Sequence, residues 1–287
     1  MADADRDKLK TTFNQDAELY DNARPDYPEQ IFDDLFAMGG LASGAAVLEL
    51  GCGTGQATRH IAGRGCRVVC IELGANLAAV ARRNLEPFPR VEVITSAFES
   101  WEPRESLFDM VFAASSWHWL DPEVRYAKAA RVLKPAGILA IVDNGHAFPD
   151  GFDPFFTEIQ KCYEAIGEPH LEWPPPRPED EPDRREEIER TCLFKVVGIK
   201  GCVWPVDYGA DTLHRRAEYL FGAYRVGAIE ARKTIRRRPP PDCATPRRAN
   251  PQALSQYPAR LPPHIVTVCG AGYASSKTLW RKLAWVA

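Results

Sequence analysis

No segment of this 287-residue chain approaches the roughly 18 to 20 consecutive apolar residues that a membrane-spanning helix needs. Its aliphatic residues come in short runs between charged stretches, the pattern of strands and amphipathic helices sharing one core. The start, M-A-D-A-D-R-D-K-L-K, is acidic and polar where a secretory leader is basic and then apolar, so a cytoplasmic location is expected. The eight cysteines include no closely spaced pair of the zinc-site kind, Cys66 and Cys70 being four apart, so reduced structural thiols and no metal are expected. An internal repeat is also missing. So is any basic excess in the first 235 residues, where 27 Lys or Arg face 38 Asp or Glu. That balance argues against a nucleic-acid groove in the body of the protein, because phosphate contacts supply most of the binding free energy for such substrates.

What is present is a strand that runs straight into a glycine turn. Val47 to Gly55 reads V-L-E-L-G-C-G-T-G. Val47, Leu48 and Leu50 make the short apolar run of a parallel strand, and Gly51, Gly53 and Gly55 let the backbone turn tightly and approach a ligand. A second strand closes on Glu72, 21 residues beyond Gly51, the interval at which an acid in an open α/β sheet accepts from ribose hydroxyls. The dinucleotide fingerprint G-x-G-x-x-G fails in both registers, since positions 56 and 58 are Gln56 and Thr58. A dehydrogenase is therefore disfavoured.

The rest of the chain keeps a βαβ rhythm. Strands are expected near 46–50, 67–71, 91–95, 108–113 and 137–142, with helices near 56–63, 75–84, 122–132 and 153–166. The fold class this predicts is α/β, a doubly wound, mostly parallel, Rossmann-like sheet. Three regions follow: an N-terminal helical cap over 1–40, a central domain over 41–235, and an Arg/Pro-rich tail over 236–287. The tail holds nine basic residues, one acid (Asp242) and, between Arg236 and Pro263, eight prolines. Such a stretch is expected to be disordered or loosely attached, as an extension or as a GC-rich gene read in a shifted frame. His264 to Val268 is its one short apolar run.

The phrase E-L-G-C-G-T-G-Q, with S-A-F-E after the third strand, F-D-M-V-F-A in the fourth and L-K-P-A-G-I-L-A-I-V into the fifth, resembles the class I S-adenosylmethionine-dependent methyltransferases, in their small-molecule, type 11-like branch. The resemblance covers roughly residues 10 to 225 and implies a seven-stranded sheet whose last strand is antiparallel, a place only His264 to Val268 could fill. It implies S-adenosyl-L-methionine as cofactor, held by Glu49, Gly51, Gly53, Gly55 and Gln56 of the first motif, by Glu72 and Leu73, and by Ala97 and Phe98 against the adenine. Y-D-N-A-R-P-D-Y-P resembles a family phrase that folds over the cofactor, which adds Tyr20 and Arg24; they are four apart and share a face if helical, and a guanidinium fork matches the methionine carboxylate. After the fourth strand, S-S-W-H-W-L-D resembles a loop beside the methyl group. Ser115 would face the methionine part, His118 is the candidate general base, and Trp119 and His146 fall on the acceptor side. The implied activity is methyl transfer to a small-molecule acceptor. The rival classes are a nucleic-acid methyltransferase using the basic tail, for which S-S-W-H-W lacks the N/D-P-P-Y type of motif, and a non-catalytic cofactor-binding protein.

Overall fold

The computed structural model describes residues 14–24, 26–103, 107–144, 184–202, 204–206, 259–261 and 263–270. His146, the helix read over 153–166 and most of the tail lie outside the described residues.

Five parallel strands form the centre: β1 (Ala46–Leu50), β2 (Arg67–Glu72), β3 (Val91–Thr95), β4 (Phe108–Ala114) and β5 (Leu133–Asn144), in the order β3-β2-β1-β4-β5. The order reverses at β1, so the crevice between the ends of β1 and β4 is a topological switch point, where open α/β sheets bind ligands. The alternation of side chains along each strand builds two cores. Val47, Met110, Phe112, Ala140 and Val142 meet Ile31, Phe32 and Leu35 of helix α2 (Glu29–Gly39) and Ile61 of α3 (Gln56–Gly63) on one face. Leu48, Leu50, Val111, Leu139 and Ile141 meet Ala129 and Val132 of α5 (Arg125–Val132) and Ile188 of α6 (Arg185–Arg190) on the other. Val47, Leu48 and Leu50 are fully buried, each worth about 1.5–3 kcal/mol relative to exposure. Burial on both faces is why β1 reads as a continuous apolar run rather than an alternating one.

Two elements differ from the sequence expectation for physical reasons. The N-terminal cap is two helices, α1 (Ala17–Ala23) and α2, because the prolines of A-R-P-D-Y-P break the helix; Pro28 then serves as the N-cap of α2 in extended backbone. β5 begins at Leu133, earlier than expected. Leu133 pairs with Phe108 and Ile138 with Met110, so Lys134–Gly137 bulge from the ladder, with Ala136 at φ 63°. β6 (Phe194–Gly201) and β7 (Trp204–Val206) follow in the chain, the latter paired with β8 (Ala259–Leu261). The remaining strand, β9 (Pro263–Gly270), contains the His264–Val268 run and pairs antiparallel with both β5 and β6. The fourth helix of the sheet, α4 (Ala75–Asn84), packs beside α1 through Leu77, Val80 and Ala17.

Candidate functional site

The glycines after β1 are required by geometry. Gly51 and Gly53 have φ of 68° and 58°, the left-handed region that side chains disfavour, and a Cβ on Gly51 would lie 2.7 Å from Ser116 Cβ. A Cβ on Gly53 would lie 3.1 Å from the Tyr20 hydroxyl, so the glycine lets α1 pack closely on this turn. Gly55, at φ 92°, starts α3 and has Leu85 against it.

Glu72, at the end of β2, completes the turn. Its two carboxylate oxygens accept from Gly53 N–H at 2.9 Å and Gly74 N–H at 2.8 Å. Burial raises its pKa, and the backbone donors of Gly74, Gly53 and Leu73 oppose that. With three backbone donors on four lone-pair positions, the carboxylate keeps one further position for a ligand hydroxyl.

These groups line one cleft of about 820 Å³, its open mouth included, together with Tyr20, Arg24, Leu73, Ala97, Phe98, Ser115 and Trp119. Ten of the fifteen candidate residues therefore meet there. Glu49, Gly55 and Gln56 do not line it: they sit buried beneath the turn. Burial pushes the Glu49 carboxyl up to about 7, with the Thr58 hydrogen bond opposing and the Glu72 charge adding, and its Oε2 has no hydrogen-bond partner among the described residues. His146 lies outside the described residues.

The N-terminal segment closes the cleft from above. Tyr20 and Arg24 do share a side, the Arg24 guanidinium lying 5.1 Å from the Tyr20 ring centroid, although Arg24 itself caps α1 in extended backbone. Asn14 reaches across to the start of α4, where its Oδ1 accepts from the backbone N–H of Asn76 at 2.7 Å and of Leu77 at 3.3 Å. It supplies the N-cap that Gly74 lacks. The Tyr27 hydroxyl lies 3.3 Å from Ser115 Oγ, and burial pushes its pKa up to about 12. Ser115 itself has φ 53°, a conformation non-glycine residues hold only where the surroundings impose it.

His118 stands on a short 3-10 turn, Trp117–Trp119, outside the cleft lining, its ring centroid 4.7 Å from that of Trp119. Its surface is open, yet the protein around it depresses the imidazole pKa: burial is the largest effect, Asp143 opposes it, and Arg184, Arg24 and Arg125 add to it. Trp117 is fully buried, with Arg125 over its ring, a packing residue rather than a cleft residue.

Sequence reasoning missed Gly74, Leu77, Ser96, Glu99, Ser116 and Leu120, all in the cleft lining. Ser96 and Ser116 follow the carboxyl ends of β3 and β4, so the switch-point rule could have nominated them. Glu99 carries no such signal.

Residues 48–141 match the methyltransferase domain family. An uncharacterized methyltransferase of Mycobacterium tuberculosis is 32% identical over 139 residues, which cover 48% of this chain and 54% of that protein. The malonyl-[acyl-carrier protein] O-methyltransferase of Geobacter sulfurreducens is 31% identical over 167 residues, covering 56% and 59% respectively. The chain thus spans only part, a little over half, of the length of these relatives. A solved structure from Anaeromyxobacter dehalogenans, assigned provisionally to the type II methyltransferases, shares the fold at TM-score 0.52 and 21% identity over 86% of this chain and 97% of that one. The glycine turn, the strand order around it and these matches together make residues 48–141 a methyltransferase domain.

Proposed function

We propose that this protein binds S-adenosylmethionine and transfers its methyl group directly to a small-molecule acceptor. The observation that carries this reading is the meeting of Gly51, Gly53 and the Glu72 carboxylate in one cleft. The residues fit the cofactor on their own chemistry. Gly51 and Gly53 leave a cradle that a Cβ would fill, and Glu72 presents a carboxylate suited to accept from a ribose hydroxyl. Leu73, Ala97 and Phe98 offer an apolar wall to a flat ring, and Arg24 matches a carboxylate.

When bound, the cofactor supplies a methyl carbon already activated by the sulfonium charge. The protein's part is alignment and exclusion of water, a gain that can reach about 7–11 kcal/mol. Tyr20, resting on Gly53, shields the turn from solvent. Ser115, beside the Tyr27 hydroxyl, would face the methionine part and Trp119 the acceptor. His118 takes a proton at an imidazole nitrogen when the acceptor arrives protonated; its depressed pKa keeps it neutral and ready at pH 7. The named action of the Geobacter relative, O-methylation of a malonyl group borne on acyl-carrier protein, favours an acyl or carboxylic acceptor group. The rival readings, a nucleic-acid substrate and a non-catalytic protein, draw no support from the relatives. The proposal includes a seven-stranded sheet, with β9 as the antiparallel strand between β5 and β6; the backbone pairings support it. Location in the cytoplasm belongs to the same reading, and among the described residues no helix is long and apolar enough to cross a membrane.

The test is transfer of a labelled methyl group from S-adenosylmethionine into fractions of a metabolite extract. Label in a small-molecule fraction supports the proposal, and label confined to nucleic acid or absent altogether contradicts it.

A further inference from the structure

Lys128 lies on α5, a helix whose buried face is otherwise Tyr126, Ala129 and Val132, and it is only 6% exposed. An ammonium at such a place loses hydration, and its pKa is lowered by burial first, with Glu102 opposing, Arg131 adding and Glu99 opposing. An apolar residue of similar volume would pack there without that cost. What the lysine does is specific. Its Nζ donates to the backbone carbonyl of Glu99 at 2.9 Å and stands 5.4 Å from the Phe98 ring centroid, while the exposed Glu102 carboxylate is 3.9 Å away.

The turn it holds is a wall of the cleft. Ala97, Phe98 and Glu99 line the cleft, whereas Lys128 does not. The turn is closed internally by Ser100 N–H and Trp101 N–H donating to the Ala97 carbonyl at 3.3 and 3.0 Å, and it is tied to β2 by Ser96 N–H on the Glu72 carbonyl at 2.9 Å. Its outer end is tied to the far side of the mouth, because Glu99 Oε1 accepts from Asp121 N–H at 2.9 Å, just after Trp119 and Leu120. Lys128 therefore grips, from behind, a turn that joins the Glu72 side of the cleft to the Trp119 side.

We propose that Lys128 is a positioning residue for the cleft, fixing the Ala97–Trp101 turn so that Phe98 and Glu99 stay in place for the ligand. The claim about the turn stands on geometry alone; the claim about affinity rests on the reading of the cleft as an S-adenosylmethionine site.

Two measurements on wild type, Lys128→Met and Lys128→Arg decide it. Hydrogen exchange should quicken in Lys128→Met at the amides of Ser100, Trp101 and Asp121 while β1 and β4 keep wild-type protection, and Lys128→Arg, which retains a donor and the charge, should restore much of it. Titration with S-adenosylmethionine should show Lys128→Met binding about tenfold more weakly, the size of one misplaced polar contact. A residue that only stabilises the fold would lower protection throughout and leave the folded fraction's affinity unchanged. Unchanged exchange in the turn overturns the proposal, as does affinity within twofold of a wild type that binds. If the wild type binds no S-adenosylmethionine while exchange responds as described, the positioning of the turn stands and the cofactor reading fails. Should Lys128→Met not fold, Lys128→Leu, which likewise has no donor for the Glu99 carbonyl, takes its place, and wild-type exchange in the turn of that variant overturns the proposal.

Discussion

The backbone N–H of Gly53 donates to the Glu72 carboxylate at 2.9 Å, across the carboxyl ends of two parallel strands. The glycine turn and the acid are thus one unit. The acid shapes the turn before any ligand arrives, and both line the same cleft.

Gly51→Ala should damage that unit. The φ of 68° alone costs an alanine about 1–2 kcal/mol, and the contact with Ser116 Cβ adds to it. A lower melting temperature, with S-adenosylmethionine affinity reduced in the folded fraction, is the expected outcome in paired calorimetric and thermal measurements. A variant as stable and as tight as wild type would show that the turn relaxes freely.

Asn14→Ala should uncap α4. The loss of the Oδ1 acceptor for Asn76 and Leu77 is worth about 1 kcal/mol, as for other N-caps. Urea denaturation reads it directly, and Asn14→Asp should recover most of the loss by keeping the acceptor beside the helix N-terminus.

Much of the site could be read from sequence, for a reason that also explains what could not. The turn at Gly51 to Gly55 and the acid at Glu72 are fixed by strand endings, and a strand followed by glycines announces its own geometry. Tyr20 over Gly53 was reachable through the Y-D-N-A-R-P phrase. Asn14 on Asn76, Tyr27 on Ser115 and Lys128 on Glu99 were not, because they join positions 62, 88 and 29 residues apart and depend on how α1, α2 and α5 dock on the sheet. Lysine in a helix such as R-Y-A-K-A-A-R-V looks like a solvated residue until its surroundings are known. β9 is the extreme case. Cys269 lies opposite Ile138, while the prolines before it suggested a detached tail.

Stability should depend on pH through His60. Its Nε2 lies 2.8 Å from Asp26 and its Nδ1 2.7 Å from Glu29, with the ring stacked on Phe32 at 4.5 Å. Burial lowers its pKa, but the hydrogen bonds and charges of Asp26 and Glu29 outweigh this and raise it above the usual 6.5. The stabilisation is therefore fully present below 6.5 and is lost as pH rises through the folded-state value. Both carboxylates titrate below their usual values, so their own contribution persists until pH falls into the acid range. Denaturation midpoints for wild type and His60→Gln should differ most near pH 6 and converge as pH rises; a gap that widens on going to pH 9 would contradict the assignment.

Truncation after Ile235 removes β8 and β9. With β9 gone, β5 loses its antiparallel neighbour over Ile138–Asn144 and becomes an open edge, a known route to self-association. The shortened chain should melt lower and show a larger, concentration-dependent sedimentation coefficient. A monomer with wild-type melting would mean that β9 contributes nothing to the sheet.

The most direct test of the whole account is a calorimetric titration of the intact chain and of Glu72→Ala with S-adenosylmethionine, with a nicotinamide dinucleotide as control. The account predicts saturable binding of the sulfonium cofactor, a loss of about 1.5–3 kcal/mol in the variant, the range for a hydrogen bond to a charged group, and no binding of the dinucleotide. Tight binding of the dinucleotide with none of S-adenosylmethionine, or a Glu72→Ala variant that binds as tightly as wild type, would contradict it.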